Sequence, residues 1–177
     1  MLLIHRWDPL LNADNVAEAF TQLKRDGKVL YFGVSNFEVS QFELLASRLD
    51  FPLVTNQIEY SVINMEAQEN GMLDMCQRLR ISPLAWSPLG GGKIFYETDE
   101  RAIRLTAAMS AIGRQLSNAT IDQIALAWIL KHPAKILPIL GSGKIKRIRS
   151  AVKAENIALS RQQWFNIWRA SKGREVP

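Results

Sequence analysis

The sequence is poor in the residues that cross-link proteins or bind metal ions. Its 177 residues include one cysteine, Cys76, and two histidines, His5 and His132. One cysteine cannot form an internal disulfide, and these three residues lack the close spacing of metal ligands. We therefore expect no disulfide framework and no metal site. Cys76 is expected in the core, and His132, just before Pro133, is expected to be structural.

Long apolar runs are also absent. No run approaches the roughly 20 residues that a helix needs to span a bilayer. The opening run, Met1 to His5, is too short for a signal peptide and lacks a basic leader. A content of 47% hydrophobic residues suffices for one globular domain over residues 1–177. These features predict a soluble, cytoplasmic protein with no membrane partner.

Two common glycine-rich nucleotide motifs are missing. No G-x-G-x-x-G follows the first predicted strand, and this lowers the case for a doubly wound dinucleotide-binding sheet. The segments GGGK at 90–93 and GSGK at 141–144 lack the full spacing of a P-loop. A Walker-type nucleotide site is therefore excluded.

Strand signals recur along the chain. The strongest is the run KVLYFGVSNF at 28–37, in which apolar and β-branched residues follow Gly27. This pattern predicts a strand over 28–34 that is buried on both faces, as in a parallel sheet. The four other predicted strands cover 1–5, 53–58, 82–86 and 136–140.

Helical patterns separate these strands. Capping boxes, in which two residues satisfy each other's terminal N–H groups, are predicted at Ser40–Glu43, Thr120–Gln123 and Ser160–Gln163. Other helices are predicted after Asn12 or Asp14, over 66–80, after a loop at 90–100, and over 144–153. Alternation of this kind predicts βα units and a parallel sheet.

Two architectures fit this alternation: an open doubly wound sheet and a (β/α) barrel. A barrel has eight strands and typically about 250 residues. The sequence supplies five predicted strands in 177 residues. If the fold is a barrel, it is an incomplete one.

Polar or small residues follow all five predicted strands. They are His5, Ser35-Asn36, Asn56-Gln57, Trp86-Ser87 and Gly141-Ser142. The carboxyl ends of parallel strands share one rim, where barrels place catalytic and binding groups, so we expect a site there. Taken singly, Ser35-Asn36 fits a capping turn equally well. Trp86 likewise fits either a platform for a planar ring or a core residue.

Positive charge is concentrated in one segment of a chain whose net charge is +5. The predicted helix over 144–153 contains five basic residues and no acidic residue, and the next acidic residue after it is Glu155. Cations at a helix N-terminus oppose the helix dipole unless an anion binds there. The preceding Gly-Ser-Gly favours a phosphate site over a solvated face. Nucleic-acid binding is disfavoured, because stacking aromatic residues are not interleaved with the charges.

Five segments in order resemble the second half of an aldo-keto reductase: LLIHR, GKVLYFGVSNF, NQIEYS, AWSPLGGG and ILGSGKIKRIRSA. The likeness is greatest to the bacterial oxidoreductase subgroup. It implies an α/β fold, a parallel (β/α)8 TIM barrel that binds NADPH across its strand ends. The chain would be an incomplete carboxyl-terminal portion with about five strands, lacking the first three βα units. Such an arc exposes two sheet edges, through which we expect self-association.

The resemblance also implies roles for residues at the nicotinamide end of the cofactor. His5 corresponds to the active-site histidine, which orients and polarises the substrate carbonyl. Ser35, Asn36 and Gln57 would hold the nicotinamide carboxamide. Trp86 stands where an aromatic ring stacks on the nicotinamide.

At the other end of the cofactor, the resemblance implies two groups of phosphate contacts. The residues that would line the pyrophosphate are Ser87, Leu89 and Gly90. The residues that would contact the 2′-phosphate side of the adenosine are Ser142, Lys144 and Arg147. The charge of the second group favours NADPH over NADH.

The family reduces aldehydes or ketones to alcohols with hydride from NADPH. Its catalytic tyrosine, lysine and aspartate precede the histidine strand, and Tyr31, Tyr60 and Tyr96 do not match the context of that tyrosine. We therefore expect the chain alone to lack reductase activity, because an alkoxide needs a proton donor. The alternative is a non-catalytic NADPH-binding or regulatory interaction module.

Overall fold

The structure is a computed structural model, and it describes residues 1–175. Its strands are β1 (Leu2–Ile4), β2 (Phe32–Ser35), β3 (Leu53–Glu59), β4 (Leu84–Trp86) and β5 (Leu137–Pro138). Its first helices are α1 (Ala13–Arg25), α2 (Val39–Ala46), α3 (Glu66–Glu69) and α4 (Met72–Leu79). The others are α5 (Glu100–Gln115), α6 (Ile121–Leu130), α7 (Ile145–Val152) and α8 (Arg161–Lys172), with 3₁₀ turns at Gly90–Phe95 and Lys153–Asn156. Across residues 1–175, no helix has the length and apolar character needed to cross a bilayer.

The five strands form one parallel sheet in the order β1-β2-β3-β4-β5. A doubly wound sheet reverses its strand order at a switch point, whereas a barrel keeps the strands in chain order. The sheet is therefore an arc of a (β/α) barrel, and the expectation of a parallel barrel portion is confirmed. All five carboxyl ends lie on one rim.

The two faces of the sheet differ in burial. Phe32 and Val34 are fully buried on the helix-covered face, where the Phe32 ring lies 4.4 Å from that of Phe20 in α1. On the other face, a Cβ at Gly33 would lie 2.6 Å from Leu3 Cδ2, so only glycine fits there. This second face ends at Leu137, which is 51% exposed. The second face is therefore buried at β2 and open towards β5.

The strand predicted at 28–34 is observed as the shorter β2. The predicted burial on both faces is found for β2 but not for the residues that precede it. The N–H groups of Lys28 and Val29 donate to the Leu23 carbonyl, which ties both residues to the end of α1. Pairing with β1 starts at Phe32. Leu30 and Tyr31 are consequently exposed, at 70% and 58%.

The capping boxes at Thr120 and Ser160 are confirmed, as is the cap at Asn12. The box predicted at Ser40–Glu43 is wrong. Helix α2 is capped two residues earlier by Glu38, whose N–H donates to Gln41 Oε1 at 2.8 Å. The helix begins early because Asn36, with a left-handed φ of 57°, turns the chain directly after β2.

Several other predicted bounds differ from the structure. The helix at 66–80 is divided into α3 and α4 by Gly71, whose φ of 82° is left-handed. The strands expected at 82–86 and 136–140 shorten to β4 and β5. Pro83, which lacks the N–H that a ladder needs, stands directly before β4, whereas Pro138 lies within β5. The loop at 90–100 contains a 3₁₀ turn.

An aromatic stack joins the carboxyl-terminal helices to β3. The rings of Trp128 and Trp164 are parallel within 8° at 4.7 Å, and Tyr60 stacks on Trp128 at 5.4 Å. Each indole N–H donates to the backbone carbonyl of the other tryptophan, at 3.1 and 3.0 Å. Cys76 is also buried, and burial raises the pKa of its thiol to about 11. The expected core position of Cys76 is thus confirmed.

Candidate functional site

Ser35, Asn36 and Gln57 are brought together where β2 and β3 end. The Asn36 N–H donates to the Gln57 carbonyl at 2.8 Å, and the Ser35 hydroxyl donates to the same oxygen at 3.1 Å. Ser35 is 1% exposed, whereas Asn36 is exposed. The buried hydroxyl therefore supports an amide that faces outward at the rim.

Trp86 joins this group from the end of β4. Its indole Nε1 donates to Asn36 Oδ1 at 2.8 Å, and Asn36 Nδ2 donates to Ser35 Oγ at 3.1 Å. A directed chain of hydrogen bonds thus runs from Trp86 through Asn36 and Ser35 to the Gln57 carbonyl. The chain fixes which end of the Asn36 amide is oxygen. It also leaves Asn36 with a second Nδ2 hydrogen.

His5 lies exposed one residue after β1. The pairing of Ile4 with Val34 is the last in the ladder between β1 and β2, and its register points His5 towards Ser35. The side chain thus stands at the same rim as the hydrogen-bonded group. Within residues 1–175, no hydrogen bond joins His5 to Ser35, Asn36 or Gln57.

A tight loop follows β4. Ser87 and Gly90 have left-handed φ angles of 47° and 60°, and the Gly90 N–H donates to the Ser87 carbonyl at 2.7 Å. Leu89, half-buried, accepts from Gly92 at 3.0 Å. A Cβ at Gly90 would lie 2.1 Å from Ile63 Cδ1, so the loop has no room for a side chain there. The N–H groups of Gly90 and Gly92 are thus bonded within the loop, which keeps it compact.

The basic segment, residues 144–153, follows β5, which is the neighbour of β4 in the sheet. It therefore starts at the same rim. Lys144 caps α7, and its N–H donates to Ser142 Oγ at 3.2 Å. The basic side chains of this segment are all exposed; they are Lys144, Lys146, Arg147, Arg149 and Lys153. None of them takes part in the ion pairs found between residues 1–175. Their charge, added to that of the helix N-terminus, suits a phosphate group.

Asn56 does not join the site, although the sequence placed it at the same strand end as Gln57. Successive side chains of a strand point to opposite faces. Asn56 is fully buried on the helix side, where its Nδ2 donates to the Phe37 carbonyl at 2.8 Å. Its Oδ1 has no partner among the described residues. Asn56 therefore fixes the start of α2, and Gln57 alone belongs to the rim.

Glu59 is a rim residue that sequence reasoning missed. Strand β3 continues one residue beyond its predicted end and pairs Glu59 with Trp86. Both residues line an open cavity of about 180 Å³, together with Asn36 and Asn64. A larger groove of about 370 Å³ lies between α1 and α2, away from the strand ends. Polar residues stand at the alternate positions 55, 57 and 59, and this is the signal from which the longer strand could have been predicted.

The three tyrosines of the chain occupy different parts of the fold. Tyr31 precedes β2, at the opposite end of the sheet from the rim. Tyr60 is fully buried in the aromatic stack, and burial raises the pKa of its phenol. Tyr96 is exposed at the end of a 3₁₀ turn. Among the described residues, no group of three or more His, Cys, Asp or Glu side chains is arranged to hold a metal ion.

Comparisons with known proteins agree with this geometry. The sequence profile of the Aldo/keto reductase family matches residues 1–172. Oxidoreductase YdhF of Escherichia coli K12 is 49% identical over all 177 residues, which span 59% of that protein. The 6-dehydroglucose reductase of Agrobacterium fabrum is 43% identical over 99% of this chain and 58% of its own.

A solved structure extends the likeness to the fold. The thermostable aldo-keto reductase Tm1743, crystallised with the inhibitor epalrestat, superposes with a TM-score of 0.85 at 28% identity. The match covers 95% of this chain and 58% of that one. The chain thus spans about three fifths of the length of the curated relatives it matches. It belongs to the aldo/keto reductase family.

Proposed function

We propose that the chain is the carboxyl-terminal, cofactor-binding part of an NADPH-dependent reductase of aldehydes and ketones. The observation that carries the proposal is the directed chain of hydrogen bonds from Trp86 to the Gln57 carbonyl. It holds an amide and an aromatic ring side by side at the strand ends. These are the groups that bind a carboxamide and a planar ring.

The residues present fit NADPH along the rim. Asn36 offers its second Nδ2 hydrogen to the carboxamide oxygen, and Trp86 offers its ring face. Gly90 packs closely on Ile63, where a side chain would collide, and so holds the loop that would line the pyrophosphate against the protein. When bound, NADPH supplies the hydride that reduces a carbonyl carbon.

The basic segment supports NADPH over NADH. Lys144 and Arg147 are exposed and lie at the start of α7, close to Ser142. Two cations, a hydroxyl and the helix N-terminus suit the two negative charges of a 2′-phosphate. In NADH this position is a hydroxyl, which gains little from positive charge.

His5 orients the substrate in this proposal. A ring nitrogen that carries hydrogen donates a hydrogen bond to a carbonyl oxygen and polarises the bond. The exposed position of His5 at the rim leaves it accessible to a small carbonyl compound. Protonation of the developing alkoxide needs a further donor, and Tyr31, Tyr60 and Tyr96 lie elsewhere in the chain.

We further propose that the chain corresponds to the last five βα units of the barrel, without the first three. It then lacks the tyrosine–lysine pair and has no turnover by itself. The test is the oxidation of NADPH by the purified 177-residue chain in the presence of carbonyl compounds. Because one relative is named a 6-dehydroglucose reductase, that oxidised sugar heads the panel.

The expected result is no carbonyl-dependent loss of NADPH absorbance at any substrate concentration. Turnover that His5→Gln abolishes would contradict the proposed dependence on a further donor. Binding of NADPH without turnover agrees with the proposal and also with a non-catalytic module. The two are separated by adding a polypeptide of three βα units from a relative, because only a reductase part would then gain activity.

A further inference from the structure

The short turn between β3 and α3 is held by the two longest carboxyl-terminal helices. Its backbone closes on itself, since the Ser61 N–H donates to the Asn64 carbonyl at 2.9 Å and the reverse bond measures 3.2 Å. The Ser61 hydroxyl accepts from the N–H groups of Ile63 and Asn64 at 3.2 and 3.1 Å. We call residues 61–64 the support turn. These four hydrogen bonds close the turn on itself.

Arg101 of α5 and Ser171 of α8 clamp the support turn. The Arg101 guanidinium donates to the Ile63 carbonyl, and the Ser171 hydroxyl donates to the Val62 carbonyl. Arg101 Nη2 also donates to Ser171 Oγ at 3.1 Å. The clamp therefore links both helices to two adjacent carbonyls of one turn.

The clamp leaves one polar atom of Arg101 unpaired. Arg101 Nε is buried without a hydrogen-bond partner within residues 1–175. A buried donor without a partner is destabilising. The hydrogen bonds of Nη2 to the support turn and to Ser171 are kept in spite of this loss.

The support turn carries the side chain on which the glycine loop rests. Ile63 Cδ1 lies 2.1 Å from the position that a Cβ of Gly90 would take, so the isoleucine packs directly against the backbone of Gly90. Gly90 itself is buried. Any shift of Ile63 therefore moves the loop that contains the proposed pyrophosphate contacts.

We infer that Arg101 and Ser171 are positioning residues for cofactor binding, which act through Ile63 on the loop at 87–92. This inference rests on the proposed binding of NADPH for its consequence, but its structural claim can be measured without cofactor. Neither residue touches the ligand. They set the position of the loop that would lie against the pyrophosphate, and such a contact tolerates little displacement.

The first test is amide hydrogen exchange of the 177-residue chain without ligand. Arg101→Met removes the guanidinium and keeps the apolar stem. We expect faster exchange at Gly90 and Gly92, whose N–H groups are bonded within the loop. Arg104→Met is the matched control, because Arg104 lies on the same helix and donates to the Ala170 carbonyl at 3.4 Å without reaching the support turn. Equal exchange at Gly90 in both variants would overturn the inference.

The second test separates positioning from general destabilisation. Arg101→Met should weaken binding of NADPH about tenfold, because a displaced loop loses about one hydrogen bond to the charged pyrophosphate. Binding of adenosine 2′-monophosphate, which has no pyrophosphate, should be unchanged. Arg101→Lys should restore part of the affinity, since it keeps a charged donor. Equal losses for both ligands would contradict the inference.

A double substitution tests the route through Ile63. If Arg101 acts by way of that side chain, Ile63→Ala and Arg101→Met together should weaken NADPH binding no more than Ile63→Ala alone. Additive losses would overturn the route. If the parent chain fails to bind NADPH at all, the proposed function falls, and the exchange experiment still decides whether the clamp holds the loop.

Discussion

The indole of Trp86 and the amide of Asn36 meet across β3, 50 positions apart in the chain, through a hydrogen bond of 2.8 Å. The donor belongs to the ring that faces the proposed nicotinamide, and the acceptor is the amide oxygen. Since Nδ2 already donates to Ser35, the amide cannot rotate without breaking both bonds. The aromatic residue therefore has a second role, which is to orient the amide.

Replacement of Trp86 by phenylalanine tests that role. Trp86→Phe keeps a ring but removes the N–H donor, so we expect NADPH to bind about fivefold more weakly, near the ~1 kcal/mol of one neutral hydrogen bond. Trp168→Phe is the control, because it makes the same change on α8, away from the rim. Affinity would be measured by calorimetric titration. Unchanged affinity in Trp86→Phe would rule out an orienting role.

Gly90 and Gly91 form a matched pair for the loop. Both have left-handed φ angles, of 60° and 64°, but only Gly90 has Ile63 in the space of a Cβ. Gly91→Ala should cost about 1 kcal/mol of unfolding free energy from backbone strain alone. Gly90→Ala should cost about 1–3 kcal/mol more, because the methyl group overpacks the site. Urea denaturation measures both, and equal costs would contradict the described contact.

Burial lowers the pKa of His132 below its ordinary value of 6.5, and the charge of Asp74 opposes this shift. The Nδ1 atom accepts from the Ala134 N–H at 3.2 Å, which also requires the neutral ring. The unfolded chain therefore binds a proton before the folded chain does as the pH falls. The contribution of His132 to the free energy of unfolding is complete above pH 6.5. It declines as the pH falls from 6.5 to the lower pKa of the folded state.

His132→Gln should flatten that decline in a series of urea denaturations below neutral pH. Asp74→Asn should extend it to lower pH, because it removes the charge that raises the pKa of His132. An identical pH profile for the parent chain and His132→Gln would show that the ring is not held neutral by the fold.

The sheet edges remain the basis of a prediction about assembly. The sheet edge at β5 and directly after it is exposed at Leu137, Ile139 and Leu140, which are 51%, 36% and 37% accessible. Apolar edge strands of this kind pair with other chains. We expect the purified chain to self-associate, with a sedimentation coefficient that rises with protein concentration. Leu137→Lys should reduce the association. If the parent chain is a monomer at every concentration, the prediction of self-association is contradicted.

The sequence predicted the parallel sheet, the rim and most helix caps, because these depend on local patterns and on strand direction. It overextended β2, since nothing in residues 28–31 shows that Leu23 accepts two of their N–H groups. It placed Asn56 in the site because the strand register was unknown.

The long-range contacts could not be predicted. Trp128 and Trp164 exchange hydrogen bonds over 36 positions, and Ser171 reaches Val62 over 109. Such pairs depend on how helices pack around the arc, which a single sequence does not contain. The clamp on the support turn belongs to this class.

The account depends most on whether the rim binds NADPH through its basic segment. The direct measurement is calorimetric titration of the 177-residue chain with NADPH and with NADH. We expect NADPH to bind at least about tenfold more tightly, and Lys144→Gln with Arg147→Gln to remove the difference, because each charged contact to phosphate is worth about 1.5–3 kcal/mol. Lys131→Gln removes an exposed charge at the end of α6 and should leave the difference between NADPH and NADH unchanged. Equal affinity for the two cofactors, or no binding of either, would contradict the account.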